Sequence, residues 1–76
     1  MLDSIIVGQV IQRFREQKKQ SQKLISGLAG IGRTHLSAIE RGERKPTLET
    51  LFKIADALEI KASVIVAAIE KEHERN

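Results

Sequence analysis

Apolar residues recur along this chain at helical spacing, separated by short polar interruptions. Val7, Ile11 and Phe14 mark one stripe between residues 4 and 18, with Asp3 or Ser4 placed to cap it. Ile6 and Val10 widen that stripe, which implies deep burial or a second contact surface. Lys18-Lys19-Gln20 then breaks the pattern. Farther along, Leu48, Leu51, Phe52, Ala55 and Leu58 recur at i, i+3, i+4, i+7 and i+10, the cleanest amphipathic run in the chain. Thr47 is its expected cap, and Glu49 complements the positive end of the helix dipole. After Glu59-Ile60-Lys61 a last helix is expected over residues 62 to 74, with an apolar arc wider than one domain face needs.

Residues 21 to 42 form the unit around which the rest is organised. Ser21 is suited to cap a short helix that places Ile25 and Leu28 on one face. Gly30 supplies the left-handed conformation that turns the chain. A second short helix over residues 32 to 41 then places Ile31, Leu36 and Ile39 inward and Arg33, Thr34, Ser37 and Ala38 outward, and Gly42 ends it. Two helices at a steep angle around a glycine turn predict a helix-turn-helix, whose second helix enters the major groove of DNA. No stretch alternates between hairpin turns, so the expected class is all-α, five helices in one domain over residues 1–76.

Composition narrows the function. The chain lacks cysteine, so disulfides and thiolate metal sites are excluded. His35 has no second ligand at helical or turn spacing, so neither metal nor cofactor is expected. No apolar run approaches a membrane span and the acidic start lacks a signal peptide's basic region, so a cytoplasmic location is expected. The net charge of +3 conceals an asymmetry: residues 8 to 45 carry nine Lys or Arg against three acids, residues 46 to 76 four against six. A basic segment lying over the helical pair fits a phosphate-binding face. Catalysis finds no foothold, for there is no HExxH, no triad-like spacing and no phosphate-cradling glycine loop.

These residues together resemble the lambda-repressor-like, XRE-type family of helical DNA-binding domains over residues 8 to 64. The resemblance is carried by Ile11 with Phe14-Arg15-Glu16, Ser21-Gln22, Ala29-Gly30-Ile31, Arg33-Thr34, Leu36-Ser37, Ile39-Glu40-Arg41-Gly42, Pro46-Thr47-Leu48-Glu49-Thr50-Leu51 and Ile54-Ala55-Ala57-Leu58. Arg33-Thr34-His35-Leu36-Ser37 followed by Ile39-Glu40-Arg41 is also similar to restriction-modification controller proteins. The resemblance implies a transcriptional regulator that binds double-stranded DNA. Arg33, Thr34, Ala38 and Ser37 would meet base edges; Ser21, Gln22, Arg41, Arg44 and Lys45 would meet the backbone. His35 would approach phosphate or pack over the turn. Gln22 would also brace the reading helix, and Arg15 and Glu40 would form a structural ion pair. A twofold-symmetric operator and a homodimer are expected, with a seam through Val64, Ile65, Ala68 and Ile69, joined by Leu2, Ile5 and Ile6. The alternative is a protein-interaction module, an antitoxin or anti-repressor on the same fold. Departures from the family pattern are Gln20 at a usually apolar position, Ser26 at a usual alanine, Gly27 inside a helix, and Gly32 in place of a Ser or Thr cap. They predict a looser first motif helix.

Overall fold

In the computed structural model, which describes residues 2–75, the periodic segments become five helices: α1 (Ser4–Gln17), α2 (Gln22–Ala29), α3 (Arg33–Glu40), α4 (Leu48–Ala57) and α5 (Ala62–Arg75). No strand occurs among the described residues. Three helices start at the expected caps. The Asp3 carboxylate accepts from the Ile5 N–H, the Ser21 hydroxyl from Leu24 and the Thr47 hydroxyl from Thr50.

Helix ends are closed by one recurrent pair of backbone bonds. The N–H of Gly30 reaches the Gly27 carbonyl (3.2 Å) and that of Ile31 the Ser26 carbonyl (3.0 Å), with Gly30 at φ 70°. Gly42 and Glu43 close α3 on Ile39 and Ala38 in the same way. The pattern also ends α1 at Lys19 and α4 at Glu59, which hold φ 56° and 58° without being glycine. Glycine therefore marks only half of these turns.

The five helices share one apolar core. It draws Val7, Val10 and Ile11 from α1, Ile25 and Ala29 from α2, Leu36 and Ile39 from α3, Leu51, Ile54 and Ala55 from α4, Leu58 from its end, and Ile65 and Ile69 from α5. α2 packs on α4 and α1 on α3, while α5 lies against both α1 and α4. Gly8 allows the α1–α3 contact, because a Cβ there would stand 2.2 Å from the Ile39 carbonyl oxygen.

Three expected core positions are instead at the surface. Leu28 is 63% exposed, Leu48 69% and Phe52 53%. Each sits on the rim of its helix's apolar arc, where spacing alone does not say how far a neighbour reaches. In α2 the buried apolar pair is Ile25 and Ala29, and in α4 Ile54 occupies the core. Two residues of the expected seam are corrected in the same way: Ile65 and Ile69 are spent on the protein's own core, while Val64 is exposed and Ala68 half-buried. A helix packed by one edge against two others has to commit its central apolar line to them.

Candidate nucleic-acid interface

α3 is anchored at its C-terminal end and presents its outward face to solvent. At its C-terminal end a buried polar network does the holding. Arg15 donates from Nε to Glu40 Oε2 (2.7 Å) and from Nη2 to Glu40 Oε1 (2.8 Å), a two-pronged contact. Gln22 adds a third bond to Glu40 Oε1 (2.9 Å), and Arg15 Nη1 donates to the Gln20 carbonyl (2.8 Å). The Glu40 and Arg15 side chains are only 2% and 11% exposed. Their hydrogen bond, outweighing burial, holds the Arg15 guanidinium above its ordinary pKa. The expected ion pair is present, and Gln22 braces the helix as expected. A charge buried this deeply destabilises if its partner is removed.

Further ties come from α1, where the Ser4 hydroxyl donates to the Gly42 carbonyl (2.8 Å). Sequence reasoning missed this bond, the Gln20 carbonyl and the tight approach at Gly8. A glycine inside the apolar stripe of α1 was the one available signal.

The outward face of α3 carries most of the expected reading set. Arg33 and Thr34 are exposed in its first turn, while His35 and Ser37 are half-buried. Gly32 starts the helix without a side-chain cap hydrogen bond among the described residues. Ala38 is a correction. It is only 8% exposed, and its carbonyl accepts from Glu43 where the chain folds back after Gly42. Its methyl group is therefore sheltered, and the outward position expected of it is not found. Ser21, Arg44 and Lys45 are exposed and Gln22 is half-buried.

Arg41, expected to meet the DNA backbone, is engaged within the protein. Its Nε and Nη2 donate to the Glu43 carboxylate (2.8 and 3.0 Å), and its Nη1 donates to Ser37 Oγ. The hydrogen bond, reinforced by charge, raises the Arg41 pKa and holds the Glu43 carboxyl below its usual range. Opposite charges two residues apart across a glycine were the overlooked signal.

Among the described residues no helix is long and apolar enough to cross a membrane. Away from α3, a recess of about 580 Å³ is lined by Leu2, Lys45, Leu48, Val66 and His73 among others.

A family model described as helix-turn-helix matches residues 11–65. An uncharacterized HTH-type transcriptional regulator, y4dJ of Sinorhizobium fredii, is 38% identical over 53 residues, covering 70% of this chain and 69% of the relative. The immunity repressor protein of Bacillus phage phi105 is 40% identical over 60 residues, 79% of this chain but 42% of the repressor. The restriction-modification controller protein C.Esp1396I, solved as a tetramer with its natural 35 base-pair operator, superposes with a TM-score of 0.85 at 29% identity, covering 95% of each chain. With its five helices, its buried brace and a family model spanning most of its length, the chain belongs to the XRE-type, lambda-repressor-like helix-turn-helix family.

Proposed function

We propose that the protein is a homodimeric, sequence-specific regulator of transcription that reads the major groove of double-stranded DNA with α3. One observation carries this: Arg33 and Thr34 stand free on the first turn of a helix whose far end is fixed by the Arg15–Glu40–Gln22 network. A rigid support matters because base-edge hydrogen bonds discriminate only when their donors are positioned. Arg33 makes a forked contact to guanine, and Thr34 bonds in either direction. Ser21, Gln22, Arg44 and Lys45 contact the backbone and set register without reading sequence. Half-buried His35 packs over the turn. The activity is binding rather than catalysis, and the place of action is the cytoplasm.

Dimer formation lets two limited contacts act on one twofold site. Val64 and Val66 stand on opposite flanks of the buried Ile65–Ile69 line, so one seam does not use both. Val66 shares a recess with Leu2, Leu48 and Lys45, which makes that flank continuous with the basic loop beside α3. We assign the seam there, leaving Val64 and Ala68 outside it. The controller tetramer on its operator supports the general plan of several copies on one DNA site.

Selection from random duplexes tests the reading. The protein should enrich a twofold-symmetric site, and Arg33→Ala should lose about 1–3 kcal/mol of affinity and relax preference at one base position. If that variant weakens every sequence equally, Arg33 is a phosphate contact.

A further inference from the structure

The bond between Arg41 and Ser37 bears on what Ser37 can recognise. A serine hydroxyl has one proton and two lone pairs, whereas a guanidinium only donates. Once Arg41 Nη1 donates to Ser37 Oγ, one lone pair is taken, the proton is left for another partner, and the guanidinium beside the remaining lone pair disfavours a second N–H donor there. Glu43 keeps Arg41 in place by gripping its Nε and Nη2. The grip is built by the turn at Gly42, whose φ of 80° folds Glu43 back onto the Ala38 carbonyl. Ser37 itself lies one turn beyond Arg33 and Thr34, on the same side of α3.

We propose that Glu43 and Arg41 are positioning residues that fix Ser37 as a hydrogen-bond donor towards DNA. The inference rests on α3 being the major-groove helix. At the base facing Ser37 the operator then needs an acceptor on its groove edge, which guanine, adenine and thymine offer. Cytosine, which presents only its N4 amino group, is the base rejected. The polarity matters most once DNA displaces water from the face, since water no longer satisfies whichever group is mismatched. Arg41, its charge offset by Glu43, adds little to counterion release.

The test is selection from random duplexes with the full chain and with Ser37→Ala, Arg41→Ala, Arg41→Lys, Glu43→Gln and the double variant Ser37→Ala/Arg41→Ala. Circular dichroism checks that each stays helical. The unaltered protein should disfavour cytosine about 3- to 10-fold at one position, the range of a single neutral hydrogen bond. Ser37→Ala and Arg41→Ala should each flatten that same position, and the double variant should flatten it no further. Arg41→Lys, which keeps a donor, should restore part of the preference, and Glu43→Gln should weaken it. If Arg41→Ala instead weakens all sequences alike and lowers the salt slope by about one, Arg41 is a phosphate clamp and the inference fails while the DNA reading stands. Failure of Ser37→Ala to alter any position also overturns it. An unaltered protein that selects no sequence removes the reading and the inference together.

Discussion

Glu43 and Gln20 show how much depends on single side chains whose partners are set by folding. The Arg41 guanidinium holds the Glu43 carboxyl low, chiefly through its hydrogen bond. A carboxylate whose pKa falls on folding stabilises above its unfolded value and loses that contribution as pH drops through the lowered folded value. The Glu43 carboxyl signal in NMR should accordingly titrate below the ordinary glutamate range, and Arg41→Ala should return it upward. An unchanged midpoint would show that the pair does not persist in solution. Gln20 has the opposite problem, because its side-chain Oε1 is buried without a hydrogen-bond partner among the described residues. An orphaned acceptor costs about 1–3 kcal/mol, so Gln20→Leu should raise stability by about 1 kcal/mol in chemical denaturation. This position was already conspicuous in the sequence as a polar residue where the family carries an apolar one.

Among the helices, α2 and α1 carry contrasting glycines. Gly27 lies in α2 with nothing within 4 Å of where a Cβ would stand. Its helical conformation suits alanine, and Gly27→Ala should stabilise by roughly 0.5–1 kcal/mol, seen as a higher melting temperature. Gly8 permits no such change. A methyl group there meets the carbonyl oxygens of Ile39 and Glu40 at 2.2 and 2.7 Å, so α1 and α3 would have to separate. Gly8→Ala should cost about 1–3 kcal/mol and lower DNA affinity with it, because α1 carries the Arg15 brace. Equal melting temperatures for the two alanine variants would contradict this account. Both residues are glycines within a helix; the place of Gly8 in the apolar stripe of α1 hints at close packing, but only the fold gives the distances that set the sign of each effect.

At the scale of the whole molecule, the proposed dimer seam lies along the Val66 flank of α5. Val66→Asp should give a monomer in sedimentation at high micromolar concentration and weaken operator binding, whereas Val64→Asp should leave the dimer intact. A monomeric unaltered protein, or equal effects of the two variants, would move the seam elsewhere. The sequence displayed an apolar excess on α5 but not its division. Folding consumes Ile65 and Ile69, leaving Val64 and Val66 on separate flanks.

The amino-acid order alone determined the five helices, the caps of three of them and the helix-turn-helix, because periodicity, capping side chains and turn glycines act between residues within a few positions of one another. It also located the Arg15–Glu40 pair, although only through resemblance, since no local rule joins positions 25 apart. Tertiary packing decided which flank of each apolar stripe is covered, spent Ile65 and Ile69 on the core and left Leu28, Leu48 and Phe52 at the surface. Those outcomes depend on how far neighbouring helices and loops reach across a face, a distance that no spacing along the chain encodes.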